Sequence, residues 1–380
     1  MTKGLIYVTI FVFFLGSCQQ SSQQQGSGEN SSTRETSNSS EQEAYHGPLI
    51  LVMSNGYYGF ADTTGSWVIS PRFGHALPFS NGVSCVNMQG VDTFSLAEPQ
   101  YRFINTRGKL VLPSLQFPIP SFFHEGVGQV HLDNGAFIQF NTEGKPLSAQ
   151  VKGAALFHDG LAASQNPVTM QVGFMDKKGH WVFQLDQVES VGDFSNGRAP
   201  IQKNGQFGYL NPSGDIAIPL QYENAENFSE GRAAVRLNRL WGFIDVDGHM
   251  VIPPKFEWVS HFQEGAAAVI SDKAKGYIDD AGNWLFEPKK LQADVLQPFS
   301  GGLAAVKKGG MWGYIDRQGN TVIPPRFKAA TPFHFDRAVV IENSEAICID
   351  RSGNKLSLEG TPMSVYHHPD SSNIPYPLFE

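Results

Sequence analysis

Cysteine is scarce: the 380 residues hold three, too few for a disulfide-stapled scaffold. Excess positive charge is missing as well. Lysine and arginine total 28 against 36 aspartates and glutamates, a formal charge of −8, so the chain as a whole has no basic field with which to hold nucleic acid. The apolar run LIYVTIFVFFL, Leu5 to Leu15, is too short for an ordinary membrane-spanning helix. No G-x-S-x-G, H-E-x-x-H, P-loop or C-x-x-C occurs, which removes the common short signatures of hydrolases, zinc peptidases, nucleotide-binding proteins and redox proteins.

What is present points to many short strands. Glycine (39) and proline (23) are frequent, phenylalanine (28) unusually so, and 41% of residues are hydrophobic. Glycine and proline punctuate turns, and phenylalanine favours strands.

The N-terminus differs from the rest. Residues 1–17 read as a secretory signal, with Lys3 ahead of the apolar run. The run ends in Leu15-Gly16-Ser17-Cys18, which resembles the lipobox of bacterial lipoproteins. That resemblance implies cleavage before Cys18 and attachment of lipid to its sulfur. Gln19, rather than aspartate, implies export to the outer membrane of a Gram-negative envelope. An ordinary signal peptide with a chance cysteine is the alternative. Residues 18–46 are rich in Ser, Gln, Asn and Glu and have almost nothing to bury, so they are expected to be a disordered tether with a reach of roughly 30 Å. Cys85 and Cys348 remain. They can pair only if the two ends of the folded body meet; the simpler expectation is two buried thiols.

Internal repetition accounts for the body. WGFIDVDGHMVIPPKF, from Trp241, returns as WGYIDRQGNTVIPPRF from Trp312. With the fourth residue of GFID as a ruler, Asp or Asn falls at Asp62, Asn105, Asn141, Asp176, Asn211, Asp245, Asp279, Asp316 and Asp350, at steps of 34 to 43 residues. Three residues after each comes a glycine: Gly65, Gly108, Gly144, Gly179, Gly214, Gly248, Gly282, Gly319 and Gly353. A second mark, FSNG, FHEG or FSEG, follows about twenty residues later, from Gly82 to Gly302, and decays to Phe333–Asp336 in the eighth copy. The pattern resembles the WG-repeat family (WG-containing beta repeats) over about residues 49–358. It is sharpest in the copies starting near Arg232 and Leu303. It is weakest in the second and third, where Arg102 and Ile138 replace the glycine of WG.

The residues give the unit its form. The Asp or Asn side chain accepts backbone N–H groups of the next residues, and glycine then takes a positive φ without a Cβ clash. This is a type I turn with a bulge, so WGFID and VIPP should be antiparallel neighbours. The glycine of WG lies within a strand and should admit a close backbone or a large ring, such as the preceding Trp or a facing Phe. Paired prolines, Pro253–Pro254 and Pro324–Pro325, should end the third strand.

Apolar residues point to both faces of each strand. A single hairpin cannot cover both of its faces, so each unit needs a neighbour on either side. The expected fold is all-β, with tandem three-stranded repeats of about 35 residues. A closed β-propeller-like ring is favoured over an open β-hairpin solenoid, because a full first strand at Leu49–Met53 follows no polar cap. The short period is the argument against closure. Residues 47–359 then form the repeat domain and 360–380 a tail, either packed on a repeat edge or loose.

Candidate chemistry is thin. The turn residues Asp62, Asp176, Asp245, Asp279, Asp316 and Asp350, with their glycines, invite a calcium reading. Calcium needs several spaced oxygen ligands, and asparagine serves equally at three copies, so these are read as structural turns. His124, His158 and His334 share one position where other copies carry Ser80, Ser195, Ser229, Gln263 or Ser300. A side chain bonding the local backbone explains all of them without a metal. No cofactor and no catalytic residue is expected. Repeat symmetry breaks most at the insert Asn87–Gln100, with Asn87, Asp92, Phe94 and Gln100 as candidate binding-loop residues. It breaks again in units two and three and at Glu287–Pro298. The expected function is a lipid-anchored, non-enzymatic binding scaffold for a protein or glycan. A structural or assembly role in an outer-membrane complex is the alternative, and a hydrolase-like enzyme the less favoured one.

Overall fold

The structure, a computed structural model, describes residues 47–88, 100–112, 123–131, 136–147, 151–152, 156–166 and 168–365. The signal, Cys18 and the tether lie outside the described residues. So do most of the insert after Asn87 and the last fifteen residues.

The nine repeats form nine blades in a propeller-like ring. Blade 6 shows the plan. Strand a is Asn224–Ala225, b is Ala233–Leu237, c is Leu240–Ile244 and d is Met250–Phe256, antiparallel throughout in the order a-b-c-d. This repeat thus has the expected three long strands, led by a short fourth. Strand d runs through a single residue, Glu257, into strand a of blade 7, Trp258–Val259. Five-residue strands and one-residue links explain how a short period still closes.

Both faces of a blade are buried, as the apolar pattern requires. Ala233 and Val235 pack with Ile218 and Tyr222 of blade 5, while Ala234 between them packs on the other side with Phe262, Ala267 and Val269 of blade 7. The abundant phenylalanine has a fixed place. In seven blades the Phe before the a–b turn packs onto the aromatic ring of strand c in the preceding blade; the exception is Phe157, since unit three holds Gln139 at that position. The pairs Phe60–Phe79, Phe103–Phe123, Phe174–Phe194, Tyr209–Phe228, Phe243–Phe262, Tyr277–Phe299 and Tyr314–Phe333 all lie at 4.6–4.9 Å. Each adds about 0.5–1.5 kcal/mol beyond its burial. Where the ring is tyrosine, its hydroxyl donates to a carbonyl of the next blade: Tyr209 to Glu226, Tyr277 to Gln297 and Tyr314 to Thr331, at 2.7–2.8 Å.

The prolines and the WG glycine are one device, and here the structure corrects one expectation and decides between two alternatives of another. Pro253–Pro254 do not end strand d. They lie within it, at a bulge where Trp241 faces Phe256 and Phe243 faces Ile252. The bulge drives strand d against strand c. A Cβ on Gly242 would stand 2.5 Å from the Ile252 carbonyl oxygen and 2.7 Å from the Pro254 nitrogen. Backbone, not the neighbouring Trp or a Phe ring, therefore fills that space, and Gly208 and Gly313 repeat the contact. A ring does the filling at Gly276, against Trp284. Proline on an edge strand also blocks pairing with another chain.

Closure comes from the C-terminus. Thr361–Val365 pairs antiparallel with Ile50–Ser54 and supplies the missing strand a of blade 1. The segment after Gly360, expected as a tail, thus begins as a strand of the ring. Arg337 of blade 9 donates from Nε (2.9 Å) and Nη2 (2.7 Å) to the Thr63 carbonyl of blade 1, and Trp67 Nε1 donates to Glu359 at 3.0 Å. Cys85 and Cys348 are buried thiols that form no disulfide. Blades 7 and 9 lack a full strand d; in blade 7 the Glu287 segment forms a single 3-10 turn, Pro288–Lys290, instead. Among the described residues no helix is long and apolar enough to cross a membrane.

Candidate functional site

The turn residues and histidines singled out within the repeats fall on one edge of the ring. At every c–d turn one side-chain oxygen takes two backbone N–H groups. Asp62 Oδ1 accepts from Thr64 (2.8 Å) and Ser66 (3.0 Å), Asp245 Oδ1 from Asp247 (3.0 Å) and His249 (2.8 Å), and Asn211 Oδ1 from Ser213 and Asp215 (both 3.0 Å). Asp176, Asp279, Asp316 and Asp350 do the same. Gly65, Gly179, Gly248, Gly282, Gly319 and Gly353 all take positive φ, 73–97°. Slight burial disfavours ionisation of Asp62, Asp176, Asp245, Asp316 and Asp350, but the accepted hydrogen bonds outweigh it and hold these carboxyls below the ordinary aspartate value.

The a–b turns carry a second device. Two consecutive residues have positive φ, as at Glu230 (51°) and Gly231 (75°), the geometry of a type I′ hairpin. The first of the two reaches the next blade. Glu125 accepts from Gly160 N (3.0 Å), Asp159 from Gly197 N (2.9 Å), Asn196 from Gly231 N (2.8 Å), Glu230 from Gly265 N (2.8 Å) and Glu264 from Gly302 N (2.9 Å). The Ser or His just before them also bonds the next blade: Ser229 Oγ donates to the Phe262 carbonyl and Ser300 Oγ to the Phe333 carbonyl, both at 2.6 Å. The expectation of a bond to the local backbone is corrected to one between blades. It could not be read from one repeat, because its acceptor lies in the next.

Two of the three histidines converge. His124 Nδ1 lies 2.6 Å from the Phe157 carbonyl, and its ring centroid is 4.5 Å from that of His158. His158 Nε2 is 3.7 Å from Asp193 Oδ2. Burial, then the neighbouring His158, pushes His124 down to about 4; burial also lowers His158 and raises Asp193 to about 6. His334 stands apart, in blade 9. Asp193 gave no repeat signal, because its position holds Asn227 and His261 in the next blades. Among the described residues the one group with closely grouped ligand atoms is Asp245, Asp247 and His249. Asp245 is there already committed to its turn, so no metal site is drawn from it.

The insert leaves from the opposite edge, between Val83–Asn87 and Tyr101–Asn105. Asn87 closes strand b against Tyr101, and Gln100 sits beside it, half-buried. Asp92 and Phe94 lie outside the described residues.

Fold and turns together define a closed, all-β repeat protein whose units are locked to one another by turn side chains. The family profile described as "WG containing repeat" matches residues 58–91, 173–206, 207–241, 241–273, 276–312 and 312–344, more than half of the sequence. The chain belongs to the WG containing repeat family. The unmatched stretches include units two and three, where the WG glycine is replaced. No curated protein matches the chain. Among solved structures, one described as "Crystal structure of the eukaryotic initiation factor" superposes at a TM-score of 0.59 with 12% identity, covering 87% of this chain and all of that one. Looser likenesses are BamB from Moraxella catarrhalis (TM-score 0.37, 11% identity, 81% of this chain, 90% of that one) and AztD from Citrobacter koseri (0.38, 12%, 84% and 96%). At such identities the first shows a shared fold, and the other two carry no argument.

Proposed function

We propose that this protein is a lipid-anchored, non-enzymatic binding platform of the bacterial envelope, held by Cys18 at the outer membrane and presenting the ring to a protein or glycan. The observation that carries the reading is the use of the polar side chains. Turn aspartates, the acidic residues of the a–b turns and the Ser or His positions are each spent on holding backbone, copy after copy. Catalysis needs unlike groups converging on one reacting atom, and repetition of equivalent groups suits a broad rigid surface instead. The insert Asn87–Gln100 is the proposed contact loop, since loops on a rigid scaffold carry recognition.

The test replaces Met88–Gln100 by Asn-Gly, the two-residue turn that Asn204–Gly205 already makes in blade 5. Strands b and c are kept, so the ring should fold as before. Capture of an envelope ligand should fall sharply; unchanged capture refutes the loop's role. Labelling with a radioactive fatty acid, lost on Cys18→Ala, tests the anchor.

A further inference from the structure

Three core positions that are apolar throughout the ring turn polar in blades 3 and 4. Aligned by strand register, the position of Gln139 holds Phe, Tyr or Cys in the other eight repeats, that of Gln129 holds Leu, Cys, Ala, Pro or Val, and that of Ser164 holds Val or Ile. All three replacements meet at one interface. Gln139 and Gln129 stand directly opposite one another on strands c and b of blade 3. Phe140, next to Gln139, packs with Phe103 of blade 2, so Gln139 points the other way, to blade 4. Ala163 packs with Phe194 and Ile201 of blade 5, so Ser164 points back to blade 3, as Ala162 does against Val127.

Where other interfaces bury an aromatic pair, this one buries hydrogen-bonding groups. Gln139 and Ser164 are each 1% exposed, and among the described residues Gln139 Oε1 and Ser164 Oγ have no hydrogen-bond partner. Polar atoms so placed are normally satisfied by ordered water, which needs polar partners and a little room. Gln in place of Phe and Ser in place of Val supply that room, of which Gln129, longer than the usual alanine, takes back a part.

The joint around this interface is also unlike the others. Strand Val151–Lys152 pairs with Ala136 and Phe137 of blade 3 and with Gln165 of blade 4, which makes the two blades one seven-stranded sheet. The other blades are separate sheets of three or four strands. Two residues make a narrow pivot, on the edge that carries the b–c hairpins. On the opposite edge the contacts between the two blades are polar. Glu125 accepts from Gly160 N (3.0 Å) and pairs with Lys177 (2.9 Å), and His124 Nδ1 lies 2.6 Å from the Phe157 carbonyl oxygen. Water can replace each of these contacts when the edge parts.

We propose that blades 3 and 4 meet at a hydrated seam, with ordered water held by Gln139 and Ser164, and that the ring opens there, pivoting on Val151–Lys152. Parting an apolar interface exposes both of its faces to water. This interface already holds water between its faces, so its opening costs less. The inference goes beyond the platform reading and stands without it.

Hydrogen exchange of the full chain under native conditions, read by mass spectrometry of its peptides, tests the seam. Strands b and c of blades 3 and 4, Val127–His131, Ala136–Asn141, Leu161–Gln165 and Val172–Asp176, should exchange about tenfold or more faster than those of blades 5 and 6. The triple variant Gln129→Ala, Gln139→Phe, Ser164→Val restores the side chains that blades 6 and 7 place there, Ala234, Phe243 and Val269. It should erase most of that difference and leave blades 5 and 6 unchanged. If the triple variant does not fold, Ser164→Val alone should slow exchange over Leu161–Gln165 by about threefold. Crystals of the parent should show water within hydrogen-bond reach of Gln139 Oε1 and Ser164 Oγ. Equal exchange in the two pairs of blades, fast exchange that the substitutions leave unchanged, or a dry interface with the two side chains bonded to each other overturns the proposal.

Discussion

The glycine of WG offers a graded test of how a blade is built. Gly242→Ala places a methyl group 2.5 Å from a carbonyl oxygen and 2.7 and 2.9 Å from the two proline backbones of the bulge. All three are main-chain atoms, so no rotamer change relieves the clash. Overpacking costs typically about 1–3 kcal/mol, and backbone on the receiving side puts this variant at the upper end, about 3 kcal/mol. Gly276→Ala is the same repeat position in blade 7, where the nearest atom is a carbon of the Trp284 ring at 3.2 Å. A half-exposed side chain yields, and the gain in chain stiffness offsets the contact, leaving a change below about 1 kcal/mol. Gly231→Ala meets nothing within 4 Å but sits at φ +75°, worth about 1–2 kcal/mol. Urea unfolding followed by circular dichroism, with the slope m compared between variants, should rank them Gly242, Gly231, Gly276. A Gly242→Ala midpoint within about 1 kcal/mol of the parent, or a larger loss at Gly276, would refute the bulge-against-glycine account.

Four further outcomes follow from the same geometry. Asp245→Asn should keep the turn at neutral pH, since its amide oxygen can accept both N–H groups as Asn211 does. It should also flatten the acid limb: the aspartate's lowered pKa gives stability above its unfolded value of 3.8 that is lost as pH falls through the folded one. His124 is lowered from 6.5 to about 4 and His158 is lowered from 6.5, so their share is present above pH 6.5 and declines as pH falls below it, for His124 towards about 4; His124→Ser, the residue at Ser229, should remove part of that slope. Asp193 has the opposite sign, because its raised pKa, about 6, costs stability above that pH and returns it towards 3.8. Asp193→Asn should therefore be steadier at pH 7 and fall off more steeply between pH 6 and 4, as read by thermal unfolding across pH. Arg337→Ala removes two donors to the Thr63 carbonyl and should cost about 1–3 kcal/mol, seen as earlier urea unfolding.

The sequence made the repeat legible because turn chemistry is local. An Asp or Asn three residues before a glycine states its own hydrogen bonds, and continuous apolar strands state that neighbours cover both faces. What escaped was non-local. Pro253–Pro254 read as a strand end because proline lacks a donor, yet their bulge reaches across to Gly242. Ser229 read as bonding nearby backbone, yet its acceptor is Phe262. The His124–His158–Asp193 group spans three blades and is visible once their order in space is known. Thr361–Val365 carries no repeat mark at all, since a strand completing blade 1 needs no turn of its own.

Closure of the ring supports every other statement, and a cross-link tests it. Met53 and Thr361 are opposite one another across the closing strands, within the spacing a disulfide spans in an antiparallel pair. Met53→Cys with Thr361→Cys, in a chain also carrying Cys85→Ala and Cys348→Ala, should oxidise to a single intramolecular bridge, found by mass spectrometry of the joined peptides in monomeric protein. An open stack would hold the first and last units at opposite ends, and the two cysteines would then remain free or join separate molecules.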